Sequence, residues 1–272
     1  MAPATTPDPV KPEALLAQLA ALGVERGDLL LVHCAFSQIG PVAGGPAGFI
    51  AVLQEAVGPR GTLMMPSLAD DDGLFDPRST PCLSMGVVAQ TFWRMPDVKR
   101  SDNPHAFAAR GPLATALLMP HPVVVPHGID SPAGRAIALG GKILLAGVGH
   151  DANTTIHVAE NEARVRYGFE ARSLVLQAGA PVELRYREVD HCCRGFERVG
   201  EALQRTGQQR RGALGHGKAA LAASRATFDA AMALLRADEE ALLCAPGACN
   251  FCDAARRGHR LSHATHTPAR RP

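Results

Sequence analysis

The residues best suited to chemistry lie in the stretch GVGHDANTTIHVAE, residues 147–160. An apolar run ends there in glycine and polar residues, and a helical pattern begins. In open α/β sheets such strand-to-helix junctions bind ligands, because a helix start presents unpaired N–H groups. His157 falls in the first turn of the expected helix, and Glu160 follows three residues later on the same face. An imidazole titrates near neutrality, so His157 has the chemistry of a general base toward an amine. A helix N-terminus disfavours the imidazolium, which makes a carboxylate partner valuable. Spacing alone leaves a second reading open, a core histidine satisfied by one hydrogen bond.

Two other groups stand out. Asp70, Asp71 and Asp72 form an acidic run with Asp76 close by, and Glu188 and Asp190 flank Val189 after an expected strand. Strand alternation puts Glu188 and Asp190 on one face. Acidic clusters of this kind bind polycations through charge-assisted hydrogen bonds, and they also occur as solvated turns. The other group is sulfur-rich. Cys249-x-x-Cys252 presents two thiolates to one metal, and zinc takes four ligands. His191, Cys192 and Cys193 are the candidates for the remaining positions, with His259 competing. One structural Zn2+ tying the C-terminal residues to the body is the functional reading, and a reduced packing pair the alternative.

The elements that position these residues alternate between helix and short apolar strand. Periodicity and punctuation predict helices over 12–22, 46–57, 86–94, 154–166, 195–205 and 218–236. Strands are expected over 29–32, 62–65, 123–125, 142–148 and 241–244, with a hairpin of 173–177 and 181–187 around Ala178-Gly179. Residues 70–81 and 99–104 read as loops. Asn153 or Thr154 caps the helix that carries His157. The pattern describes an α/β layer fold with a central mixed sheet flanked by helices. A single domain over 13–256 is expected, between a flexible N-terminal segment (1–12) and a flexible basic tail (257–272).

Composition agrees. At 46% hydrophobic and 20% charged residues the chain is that of a globular enzyme, and a net charge of +2 gives no field for nucleic acid. No stretch reaches the ~18 apolar residues of a membrane span, and no secretory leader is evident. Seven cysteines, two of them adjacent, fit a reduced cytoplasmic protein better than a disulfide framework. Serine-hydrolase elbows, phosphate-binding loops and zinc-protease helices are absent.

Over nearly the whole chain, about 15–256, these segments resemble the aminoglycoside 3-N-acetyltransferase family. The likeness rests on an ordered set: LLLVHCAF (29–36), GTLMMPS (61–67), FDPRSTP (75–81), FWRMPDVKRSDNPHAFAARG (92–111), SPAGR (131–135) and TTIHVAE (154–160). HDANTTIH (150–157) and DHCCRGFE (190–197) are most similar to the type IV subgroup, which acts on apramycin as well as gentamicin-like drugs. The resemblance implies the antibiotic N-acetyltransferase fold rather than the GNAT fold. It implies transfer of acetyl from acetyl-CoA to the 3-amino group of the 2-deoxystreptamine ring, sequentially and without an acyl-enzyme, conferring resistance. By the same likeness His157 is the base, with Asp190 or Glu188 able to orient it and Glu160 as the local alternative. Asp70, Glu188 and Asp190 would line the drug pocket. Coenzyme would lie near His33, Cys34, Ala35, Phe36, Ser37, Ser101 and Val148 to Thr155. Backbone N–H groups near Thr154 and Thr155 would face the developing oxyanion. The sequence departs from the family at Cys34 and Ala35, where a serine usually follows the histidine. Two rivals accompany this reading: an acyltransferase of the same fold acting on another amine, and a zinc-organised binding protein.

Overall fold

The computed structural model describes residues 7–70 and 72–259. Asp71, residues 1–6 of the expected N-terminal segment and residues 260–272 of the expected tail lie outside the described residues.

Helix α1 (Pro12–Leu22) starts on a proline whose φ is preset, buries Leu15, Leu19 and Leu22 along one stripe, and stops at Gly23 in the left-handed region. Strand β1 (Leu29–Cys34), α2 (Phe36–Ile39), α3 (Gly45–Val57) and β2 (Thr62–Pro66) follow. Next come α4 (Gly86–Phe92), β3 (Lys99–Arg100), β4 (Phe107–Arg110), α5 (Ala114–Leu117) and α6 (Pro132–Ala138). Strand β5 (Lys142–Ala146) leads into α7 (Thr154–Ala163), the hairpin β6 (Phe169–Gln177) and β7 (Ala180–Glu188), then α8 (Glu197–Arg205). The last elements are β8 (Gln209–Leu214), β9 (Gly217–Ala223), α9 (Ser224–Ala237) and α10 (Asn250–Arg256).

Seven strands make one sheet in the order β3-β4-β2-β1-β5-β9-β8. β1 is parallel to β2 and to β5, and the outer pairings are antiparallel. The sheet is therefore mixed, as expected, and β6–β7 stands apart as a two-stranded ribbon. β1 is apolar throughout because both its faces are covered. Leu30 and Val32 pack into the core with α1, α3 and α4, and Leu29 and Leu31 into the core with α5 and α6. Each fully buried leucine stabilises the fold by about 2 kcal/mol.

Several local expectations are corrected. Residues 99–104 include β3, and 123–125 form a turn. The segment 218–236 is not one helix but β9 followed by α9. The apolar residues 241–244 lie in a turn, with Leu242 and Leu243 buried beneath it. Ahead of α1, Val10 bridges Val42 in parallel. No described helix is long and apolar enough to cross a membrane.

Candidate active site

Strand β5 delivers the chain to the site through Gly147, at φ 71°. A Cβ there would lie 2.7 Å from Gln38 Cβ and 2.9 Å from the Ala35 carbonyl oxygen, so the turn packs directly on the start of α2. Asn153 then caps α7, its Oδ1 accepting the Thr155 N–H at 3.2 Å. The helix places His157 one turn inside its positive end, and the carboxylate needed there is the local one. His157 Nδ1 and Glu160 Oε2 are 2.7 Å apart.

Glu160 is wholly buried and accepts three hydrogen bonds, from His157, from His191 Nε2 at 2.8 Å and from the Tyr167 hydroxyl at 2.5 Å. Burial opposes its ionisation, but the charge of His191 and the bonds from both histidines prevail, and its pKa falls to about 2. The backbone N–H of Cys193 lies 3.0 Å from His191 Nδ1. With Nδ1 of His157 committed to Glu160, Nε2 is the basic atom. It faces Cys193 Sγ at 3.6 Å and the Asp190 carboxylate. Phe196 packs edge-on against His157, with centroids 4.9 Å apart, and His127 stacks on it at 5.6 Å. Burial, aided by neighbouring histidines, holds His127 well below the usual histidine range, so it offers an uncharged ring.

Two cavities flank this centre. One, of about 470 Å³, opens at the carboxyl ends of β1 and β2 and is lined by His33, Cys34, Ala35, Ser84, Val148 and Thr154, among others. Asp151 brings one carboxylate to a wall that is otherwise uncharged. Burial and nearby His150 lower His33 to about 3, and burial raises the Cys34 thiol to about 12. The other, about 110 Å³, is lined by Asp70, Asp72, His105, Arg172, Tyr186 and Glu188, among others. Glu188 pairs with His105 Nε2 at 2.8 Å, and the His105 ring meets His127 at 5.3 Å, so a chain of rings runs from the acidic cleft to His157.

The arrangement has a largely uncharged slot beside the start of α7, an acidic cleft joined to His157 by a chain of rings, and a carboxylate-oriented imidazole. Comparison with known proteins decides the kind of enzyme. A family model described as aminoglycoside 3-N-acetyltransferase matches residues 31–236. Aminoglycoside N(3)-acetyltransferase IV of Salmonella sp is 45% identical, over 82% of this chain and 87% of the relative. The chain belongs to the aminoglycoside 3-N-acetyltransferase family.

Solved structures agree. A histidine-to-alanine variant of the aminoglycoside acetyltransferase AAC(3)-IVa, in complex with a gentamicin, superposes with TM-score 0.90 at 43% identity, covering 94% of this chain and 100% of that one. The same protein in complex with apramycin gives TM-score 0.84 at 41% identity, covering 91% and 100%. AAC-IIIb in its binary complex with CoASH gives TM-score 0.76 at 26% identity, covering 85% and 97%. As a family member the chain is an acyltransferase that moves acetyl from acetyl-CoA to an aminoglycoside amine. The fold is that of the family, and the binding-protein rival falls.

The expected site residues sort clearly. His157 and Glu160 come together, Nδ1 on Oε2. Asp190 and Glu188 do not orient His157 through Nδ1; Asp190 lies on the Nε2 side and Glu188 bonds His105. Asp70 reaches the acidic cleft, though its carboxylate also accepts the N–H groups of Leu83 at 2.6 Å and Ser84 at 2.7 Å. Of the coenzyme set, His33, Cys34, Ala35 and Val148 line the larger cavity. Phe36 and Ser37 begin α2 beside it, Phe36 packing on Phe49. Ser101 is turned to a different task, its hydroxyl accepting the Phe107 N–H at 3.0 Å. The Thr155 N–H is used by the Asn153 cap, so it is not an oxyanion donor in this conformation.

The expected metal set also needs correction. The four sulfurs that converge are those of Cys192, Cys244, Cys249 and Cys252. His191 turns to Glu160 and Cys193 to His157, and His259 stays outside the group. Sequence reasoning missed Cys244, Tyr167, His105 and His127. Cys244 carried a signal, a third cysteine eight residues before Cys252; the other three carried none.

Proposed function

We propose that this enzyme acetylates the 3-amino group of the 2-deoxystreptamine ring in apramycin and gentamicin-like drugs, with His157 as general base and Glu160 as its positioning carboxylate. The 2.7 Å contact between His157 Nδ1 and Glu160 carries the reading, because it fixes the tautomer that leaves Nε2 free to take a proton. The drug's amine gives that proton to Nε2 and attacks the thioester carbonyl. The new N–C bond forms, the C–S bond breaks and the CoA thiolate leaves. Acetyl-CoA fits the larger cavity, and the drug's other ammonium groups fit Asp70, Asp72 and Glu188. Acetylation removes a positive charge that ribosomal RNA binding needs, which is the basis of resistance. The catalytic domain spans 13–256, and seven free thiols suit the reducing cytoplasm.

We also infer one structural zinc on Cys192, Cys244, Cys249 and Cys252. Cys192 Sγ lies 3.4 Å from the sulfurs of both Cys244 and Cys252. That is too far for the ~2.05 Å of a disulfide and near the ~3.8 Å edge of a tetrahedral zinc-thiolate site. Such an ion would hold the polypeptide and take no part in the transfer.

The test is acetylation of apramycin by His157→Ala. Loss of a general base lowers kcat at least ~100-fold with folding intact. Near-normal turnover in that variant, or no turnover of any aminoglycoside by the parent enzyme, would remove the assignment.

A further inference from the structure

The side of the His157 ring that faces away from Glu160 is lined by sulfur and oxygen. Cys193 Sγ lies 3.6 Å from Nε2, and an Asp190 carboxylate oxygen joins them, the three donor atoms lying within 4.8 Å of one another. Zinc bound at ~2.3 Å to sulfur and ~2.0 Å to imidazole with tetrahedral angles separates those donors by ~3.5 Å. The pair already stands at a metal-bound distance.

Each donor is held in place. His157 is fixed by Glu160, and Asp190 Oδ1 accepts the His191 N–H at 2.8 Å. Cys193 occupies the left-handed region at φ 57°, an uncommon conformation for a non-glycine residue, with its N–H bonded to His191. That backbone turn sends Cys193 to the base while Cys192 goes to the four-sulfur group. Asp190 and Cys193 are half-buried residues beside the buried His157. One nitrogen, one sulfur and one oxygen donor make a three-ligand set of the kind found in zinc sites that exchange a water or substrate.

We propose that His157, Asp190 and Cys193 form a second, exchangeable site for a thiophilic divalent cation such as Zn2+ or Cd2+, whose occupancy switches off acetyl transfer. The consequence for activity rests on His157 being the base. Binding sends the Cys193 thiol proton to solvent and uses the Nε2 lone pair, so no acceptor remains for the drug's proton. The ion, less the released thiol proton, also adds one net positive charge at the place where a cationic drug must dock. Inhibition is therefore competitive with aminoglycoside.

The experiment uses the enzyme as purified, freed of loosely held metal by gel filtration. Acetylated apramycin is quantified by mass spectrometry as Cd2+ is added, and Cd2+ binding is followed separately by calorimetry. Expected are inhibition competitive with apramycin, recovery on adding EDTA, and a midpoint at least ~10-fold higher in Cys193→Ala, each protein compared with its own uninhibited rate. Calorimetry should show one Cd2+ equivalent fewer in Cys193→Ala and in His157→Ala, with Cys193→Ser as the substitute if the alanine variant does not fold. Inhibition that is not competitive with drug, an unmoved midpoint, or unchanged Cd2+ stoichiometry would overturn the site. Calorimetry reads the site whether or not the protein turns over. A lost equivalent in a His157→Ala protein that still acetylates would support the site and sink the base.

Discussion

Glu160 accepts three hydrogen bonds where solvent does not reach, and it does so as an anion. Its folded pKa, about 2, lies below the ordinary 4.5. A carboxyl with a depressed pKa stabilises the fold fully above its unfolded value, and the contribution is lost as pH falls through the folded value. Glu160→Gln keeps the shape but turns an N–H toward a donor. We expect it to cost about 3 kcal/mol, the scale of a broken buried charge pair. The loss should be complete above pH 4.5 and shrink as pH falls toward 2, which thermal unfolding across that window would reveal. An equal Tm gap at both ends would remove the ionised carboxylate from the account. Because Glu160 positions His157 rather than touching drug, kcat should fall at least ~10-fold with little change in either KM. A change confined to KM would contradict a positioning role.

At the scale of elements, the acidic cleft is assembled by the loop after β2, the hairpin β6–β7 and the turn before β4. Its acids are not equivalent. Glu188 ends β7 and pairs with the His105 side chain in the cleft wall. Asp70 also fixes the turn of Leu83 and Ser84, and Ser84 lines the larger cavity. Glu188→Ala should therefore raise KM for drug about 10-fold and leave KM for acetyl-CoA alone, whereas Asp70→Ala should raise both. Steady-state kinetics with each substrate varied separates the two, and a Glu188→Ala effect on acetyl-CoA alone would misplace the cleft. The same contrast shows what the sequence could reveal. α1, β1 and the β5-to-α7 junction were legible because each carries its own apolar period, cap or glycine stop. Residues 218–223, KAALAA, read as helix because alanine and leucine favour it, yet pairing with β5 and β8 makes them a strand. Burial without a ladder explains residues 241–244. The pairing of His157 with Glu160 was legible at i,i+3. Tyr167, His105 and His127 were not, because only the tertiary fold brings them to the site.

Across the whole molecule, the four converging cysteines come from three separate stretches. Cys192 follows the hairpin, Cys244 follows α9, and Cys249 and Cys252 open α10. An ion there would join the C-terminal elements to the segment that also carries His191 and Cys193, the neighbours of Glu160 and His157. Stability and catalysis would then share one tie. Elemental analysis of gently purified protein should give about one zinc per chain, and Cys244→Ser, which substitutes no residue around His157, should lower that content. Loss of one ligand, at roughly 2–3 kcal/mol, should reduce Tm by about 5–10 °C in a domain of this size. A lower kcat should accompany it, because the segment bearing His191 is no longer anchored. If purified protein carries no zinc, and Cys244→Ser matches the parent in Tm, the four thiols are simply packed, and the segment owes its position to Glu160 and the surrounding apolar core.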